Sequence, residues 1–328
     1  MSLALPDVKE AWTGKIVEVT IGAGSDRGGT RGSTVTVGGE TTLPFLHFEG
    51  VVPHAPVIAV EVSDRNPDDW SGLLQRAWEG VLGDPAAWAA RAEKAGADLI
   101  ALTLDSAHPE RGDTGAAEAR RTVRRVLEAT SLPLIVYGPG QRDKDNEVLV
   151  AAAEEASGER IALGNCEEKN YRTIVAAALA NEHVVVAKSP IDVNLAKQLN
   201  VLVGDMGMDR ERVLMDPTTG ALGYGLEYSY SVMERVRLAA LTGDSALQQP
   251  MIVTVGYEAW RAKEARTDQD VPAQWGDWAQ RATLWEANTS ITLLNTGADI
   301  LVLRHPGSIP LVKHAIDELM RKESATWH

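Results

Sequence analysis

Eight short apolar runs, each bounded by turn residues, recur along the chain: PVIAVEV (56–62), ADLIALTLD (97–105), LPLIVYG (132–138), RIALGN (160–165), HVVVAKS (183–189), RVLMD (212–216), PMIVTVG (250–256) and ADILVLR (298–304). Their hydrophobicity is nearly continuous, where a half-exposed strand would alternate, and this is the character of parallel strands covered on both faces. Between them lie stretches with helical spacing of apolar residues, among them AWAARAEKAGA, EARRTVRRVLEAT, EVLVAAAEEA, YRTIVAAALAN and LAKQLNVLV. Eight successive β–α units predict a TIM (β/α)8 barrel, and the stretch from Val57 to the C-terminus is close to the ~250 residues usual for that fold. A doubly wound open sheet is the alternative.

The first fifty or so residues stand outside this repeat. KIVEVTIG and STVTVGG read as a β-hairpin joined by a Gly-rich connection. The chain is therefore divided into an N-terminal hairpin extension over residues 1–55, expected to close the bottom of the barrel, and a barrel over 56–328. After the seventh strand, RAKEARTDQDVPAQWGDW (261–278) inserts a polar stretch before the helix around Trp285. Long insertions of this kind sit on the functional face, so it is a candidate lid or partner surface, with a plain solvated loop as the alternative.

Composition narrows the function. A hydrophobic content of 44% and a charged content of 24% describe a globular protein, and no apolar run approaches the ~18 residues of a membrane span. The start, MSLALPDVKEAW, lacks a basic segment followed by an apolar core, so no secretory signal is read and a cytoplasmic location without membrane contact is expected. A formal net charge of −14 without a Lys/Arg cluster argues against a nucleic-acid partner. The single cysteine, Cys166, excludes an intrachain disulfide and a four-cysteine iron–sulfur or zinc site within this chain.

Barrel chemistry gathers at the C-terminal strand ends. Those ends carry Glu61 and Asp64, Asp105, Gly138 and Gly140, Asn165, Lys188 and Ser189, Asp216 and Thr218, Tyr257 and Glu258, then Arg304 and His305. The sixth loop, DPTTGALGYGLEYS, crowds Gly220, Gly223 and Gly225 together yet matches neither common nucleotide fingerprint. Tyr224, Tyr228 and Tyr230 follow it, either as helix core or as a ligand platform. Lys188 stands where a Schiff-base lysine can stand. Asp105, Asp216 and Glu258 are oxygen donors of the type divalent metals take, without a spacing that ties them together. His305, beside Arg304 and before Pro306, reads as part of a structural turn. DSAHPERG places His108 one position too late for a D-x-H-x-x-G corrinoid-ligating pattern.

GGTRGSTVTVGGETTLPFLHFEG (28–50), DPTTGALGYGLEYSYSVMERVRLAAL (216–241), TVGYEAWRAKEA (254–265) and RHP (304–306) resemble the small, delta-type subunit of the corrinoid iron–sulfur protein of the acetyl-CoA synthase/CO dehydrogenase pathway. The resemblance runs from about Lys15 to Met320. It implies a TIM barrel paired with a larger subunit that bears the [4Fe–4S] cluster and the main corrinoid-binding domain, the corrinoid (cobalamin) lying between that domain and the barrel mouth. Methyl would pass from methyltetrahydrofolate, on a separate methyltransferase, to cobalt and on to acetyl-CoA synthase. By that resemblance Asp216, Thr218, Gly220, Gly223, Tyr224, Gly256, Tyr257, Glu258, Arg304 and His305 are rim positions, the glycine loop makes room for macrocycle or methyl donor, and no catalytic acid or base is implied. Asp105, Asn165 and Asp216 also suit a free-standing barrel methyltransferase that holds a pterin edge by hydrogen bonds. A third reading makes the chain a scaffold that organises partners without touching cofactor.

Overall fold

The computed structural model describes residues 9–321; the opening residues from which the signal-peptide reading was made lie partly outside the described residues, as do 322–328. Two strands, β1 (Val19–Ile21) and β2 (Val35–Val37), pair antiparallel. Eight more follow: β3 (Val57–Ser63), β4 (Leu99–Thr103), β5 (Leu134–Tyr137), β6 (Ala162–Cys166), β7 (Val184–Lys188), β8 (Val213–Asp216), β9 (Met251–Val253) and β10 (Ala298–Leu303). Each predicted run forms one of these strands. They pair in parallel and in chain order, and β10 returns to β3 with Ile300 opposite Val57, so the sheet closes into a TIM barrel and the open doubly wound sheet is excluded. Closure removes the unpaired edges that an open sheet leaves.

Strand side chains alternate between two faces, and a barrel turns those faces into inside and outside. Ala59, Leu99, Ala101, Ile135, Ala162, Val184, Val186, Leu214, Ile252 and Ile300 form the inner cluster, while Ile58, Val60, Ile100, Leu134, Leu163 and Leu301 pack in the outer one with the helices. The hairpin's Val17, Val19, Ile21, Val35 and Val37 belong to the inner cluster. Its backbone is tied to the segments that enter the barrel strands: Gly32 N–H donates to Ser131, Gly22 N–H to Arg160 and Val17 N–H to Gln248, at 3.0, 2.8 and 2.8 Å. The extension thus plugs the N-terminal end of the barrel and leaves the C-terminal end open.

Local signals fix where helices start. Asp84 caps the helix Pro85–Lys94 by accepting from Ala86 and Ala87 N–H, and Asp192 does the same for Val193–Asp205. The seventh strand is shorter than its apolar run. Thr254 N–H donates to Thr219 Oγ1 at 2.9 Å instead of continuing the ladder, and Val255–Ala259 turns into a helix. The 261–278 insertion is held in place: Arg281 donates to the carbonyls of Glu264, Thr267, Trp275 and Gly276, and Trp278 Nε1 donates to Ala265. No helix among the described residues is long and apolar enough to cross a membrane.

Candidate functional site

The open end of the barrel contains a cavity of about 950 Å³. On its β10–β3–β4 side the charged groups are already satisfied. Arg304, buried at the end of β10, donates through Nε and Nη2 to Glu61 of β3 at 2.8 and 2.7 Å, a bidentate pair. Its guanidinium lies over the rings of Trp70 (4.5 Å) and Tyr257 (5.1 Å). Behind it, the buried Glu286 accepts from the backbone N–H of Arg304 and His305 at 2.7 and 3.2 Å, and Trp78 Nε1 donates to the Arg304 carbonyl at 2.7 Å. Gly256 is required here, because a Cβ would stand 2.7 Å from Arg304 N. Asp105, at the end of β4, is paired with Arg65 at 3.3 Å and with Arg111.

The β5–β8 side is different. Tyr137, Asn165 and Lys188, from the ends of β5, β6 and β7, line the cavity, and none of their side-chain polar atoms has a hydrogen-bond partner among the described residues. Tyr137 is buried, with its ring over Gly164, where a Cβ would meet Cε1 at 2.6 Å. Burial, with the charges of Asp216 and Glu61 adding to it, holds its phenol well above the usual tyrosine range, so Oη keeps its proton. Lys188 is the register partner of Asp216 on β8. Asp216 is fully buried; Oδ1 accepts from Thr218 N–H at 2.9 Å, and Oδ2 has no partner. Burial raises its pKa and the nearby Lys188 opposes that shift. Lys188 and Glu167 also line a side groove of about 580 Å³, whose other wall is Leu195, Leu199 and Leu202.

The glycines of the sixth loop are explained by the loop itself. A Cβ on Gly220 would lie 2.4 Å from the Gly225 carbonyl oxygen, while Gly223 and Gly225 have φ of +75° and +88°. Ser229 Oγ clamps the crossing, accepting from Gly220 N–H at 2.7 Å and donating to the Thr218 carbonyl at 3.0 Å. Tyr224 and Tyr228 are left exposed beside the insertion, and Tyr224 Oη accepts from Lys263 N–H.

Of the residues singled out in the sequence, Asp105, Asn165, Tyr257 and Arg304 come together in the mouth. Thr218 lines the side groove, and Asp216 sits beside Lys188 on the neighbouring strand without lining either cavity. Gly220, Gly223 and Tyr224 lie on the adjoining loop. Gly256, Glu258 and His305 do not line the cavity: Glu258 pairs with Arg261 at 3.3 Å, and His305 stacks on Trp260 with ring centres 5.4 Å apart. Burial lowers the His305 pKa to about 4, and its Nδ1 accepts from Gly307 N–H, the structural turn expected of RHP. Among the described residues, no three His, Cys, Asp or Glu side chains converge to hold a metal. Sequence reasoning missed Tyr137, Trp70 and the Glu61–Arg304 pairing. A hydroxyl-bearing aromatic at the inward parity of β5 was the available signal for the first.

Three comparisons place this geometry. Dihydropteroate synthases of Xanthomonas albilineans, one with 4-aminobenzoic acid and one with 7,8-dihydropteroate, superpose with TM-scores of 0.54 and 0.56. They cover 84% and 86% of this chain, over 96% and 100% of their own, at 17% and 14% identity, a likeness of fold. The acetyl-CoA decarbonylase/synthase complex subunit delta of Archaeoglobus fulgidus is 41% identical over 96% of this chain and 71% of its own length, and that of Methanopyrus kandleri is 40% identical over 93% and 75%. The family model of the CO dehydrogenase/acetyl-CoA synthase delta subunit matches residues 18–313. With the eight-stranded barrel and these relatives in agreement over nearly the whole chain, the protein belongs to the CO dehydrogenase/acetyl-CoA synthase delta subunit family.

Proposed function

We propose that this chain is the barrel subunit of a heterodimeric corrinoid methyl carrier, its mouth covering a corrinoid held mainly by a larger [4Fe–4S]-bearing subunit. The observation that carries this reading is the mouth itself: a wide cavity whose carboxylates Glu61 and Asp105 are occupied by arginines, while the buried Tyr137 hydroxyl has no partner. Such a surface binds and orients. The rim fits a large planar group, with Tyr257 and Trp70 as aromatic walls and the Arg304–Glu61 pair keeping that wall rigid. When bound, the corrinoid supplies cobalt-centred methyl chemistry. The chain's residues close off water from one face and offer hydrogen bonds from β5, β6 and β7. Cys166 is not available as a ligand, since burial pushes its thiol up to about 12. The partners on this reading are the large subunit, a methyltetrahydrofolate methyltransferase and acetyl-CoA synthase, in the cytoplasm.

Co-expression with the large subunit tests it. Tyr224→Glu with Tyr257→Glu alters exposed rim side chains, and Val51→Glu alters an exposed position on the plug segment. The double rim variant is expected to weaken assembly at least about tenfold or to shift the corrinoid absorbance bands, with Val51→Glu behaving as wild type. Equal assembly and unchanged spectra in all three proteins would remove the mouth from the cofactor.

A further inference from the structure

Outside the mouth, the side groove of about 580 Å³ has the size of a small-molecule site. One of its walls is the helix Val193–Asp205. Ala196, Leu199, Asn200 and Val203 are the buried face of that helix, and Leu195 and Leu202 line the groove without joining a core cluster. Leu195 is 40% exposed. Leu195, Leu199 and Leu202 stand at i, i+4 and i+7, so they form one apolar stripe about 10 Å long at the helical rise. The helix carries more apolar surface than its packing against the barrel uses.

The end of β7 faces that stripe with polar groups the chain does not complete. Ser189 is only 4% exposed. Its N–H donates to the Asp216 carbonyl and its own carbonyl accepts from Thr218 Oγ1, but its hydroxyl has no partner among the described residues. Lys188 Nζ makes neither a hydrogen bond nor an ion pair among them. On the charged lip, Glu167 is taken by Lys169 at 2.8 Å and Glu168 is solvated. A neutral apolar ligand would leave Lys188 and Ser189 uncompleted, a small inorganic anion would leave the leucines wet, and a cation would meet Lys188 with like charge. We infer that the side groove is a binding site for an amphipathic monoanion, a carboxylic acid whose carboxylate meets Lys188, with the Ser189 hydroxyl as a further donor, and whose hydrocarbon body lies along Leu195, Leu199 and Leu202. Of these residues only Lys188 also lines the mouth, so an acid in the groove draws on an ammonium that the mouth shares. The inference stands whether or not the mouth covers a corrinoid.

Calorimetric titration of the full chain tests it. The probe is octanoate, an aliphatic acid comparable in length to the leucine stripe; octanol has the chain without the charge, and acetate the charge without the chain. Octanoate is expected to fill one site with a Kd below about 1 mM, octanol to bind at least about tenfold more weakly, and acetate not to saturate. Leu195→Glu puts a carboxylate at an exposed position of the stripe and should weaken octanoate about tenfold or more with the melting temperature of wild type. Lys188→Gln should weaken octanoate about tenfold and leave octanol unchanged, which separates a charge contact from general apolar adsorption. Val51→Glu, at an exposed apolar position on the plug segment, should bind as wild type does. Octanoate that does not saturate, octanol as tight as octanoate, wild-type affinity in Leu195→Glu or Lys188→Gln, or an equal loss in Val51→Glu overturns the inference. Assembly with the large subunit tests the proposed function separately, so either can fail alone.

Discussion

Arg237 and Arg304 are both buried arginines at the ends of the barrel, and their surroundings differ in what they leave over. At the plugged end, Arg237 donates to Glu40 at 3.3 Å, to Asp299 at 3.0 Å and to the Gly297 carbonyl, while Asp299 also accepts from Met251 N–H at 2.7 Å. Burial with the adjacent Glu40 drives the Asp299 pKa well up, and two carboxylates face one guanidinium in a cluster that leaves Arg237 Nε without a partner among the described residues. It joins the segment after β2 to the start of β10, which locks the plug in the barrel. At the open end, Arg304 and Glu61 complete each other, but only half the mouth is completed in this way. Polar burial at one end serves cohesion, and at the other it leaves hydrogen bonds for a ligand.

The largest effect that would test this contrast is at the plugged end. Arg237→Leu leaves Glu40 and Asp299 facing each other without a cation, and is expected to lower unfolding free energy by about 3–5 kcal/mol in urea titration. A loss below 1 kcal/mol would mean that the plug is held by its apolar residues alone. Arg304→Met, by contrast, opens Glu61 to a cavity that admits water, and roughly 1–3 kcal/mol is expected. If the two arginine variants were equally destabilised, the distinction between the ends would fail. Gly223→Ala on the sixth loop comes next: nothing lies nearer a new Cβ than Trp285 at 3.7 Å, so the cost comes from φ of +75° and is about 1 kcal/mol. The same strain would accompany Gly223→Val, so that substitution reads ligand contact only after its stability has been measured.

A separate effect concerns pH. His183, before β7 at the plugged end, and His305 at the open end are both lowered by burial to about 4 from an unfolded value of 6.5. Between those values the unfolded chain binds more protons, so acidification from 6.5 towards 4 removes stability from both ends. Asp145, raised by burial to about 6, acts in the opposite sense: its stabilising protonation is lost as pH rises from 3.8 to 6. His183→Gln, with its Nε2–H bond to Ala153 replaced by an amide N–H, should flatten the acid limb of a melting-temperature profile. A limb unchanged in the His183→Gln, His305→Gln double variant would place its origin elsewhere.

Much of the fold was legible because its signals are local. Each strand run is a few residues of continuous hydrophobicity, some helix starts carry a cap such as Asp84–Pro85 or Asp192, and turn residues separate them. Asp105, Asn165, Tyr257 and Arg304 were found from position alone, since the end of a barrel strand faces the mouth. The sixth-loop glycines drew attention as a space for ligand, yet Gly220 meets Gly225 and the other two adopt left-handed φ. A glycine in sequence does not say whether its missing side chain makes way for a ligand or for its own chain.

The amino-acid sequence by itself determined the barrel, the hairpin outside its repeat, the family, and the impossibility of a four-cysteine cluster in a chain with one cysteine. These follow from periodicity and composition, which are carried residue by residue. Only the tertiary structure decided which polar groups are completed within the chain and which are not. Glu61 and Arg304 are 243 positions apart and Arg237 and Glu40 are 197, so no local pattern announces either pairing. Barrel closure brings β10 against β3, and that one geometric event pairs one side of the mouth while leaving Tyr137, Asn165 and Lys188 facing the cavity unpaired.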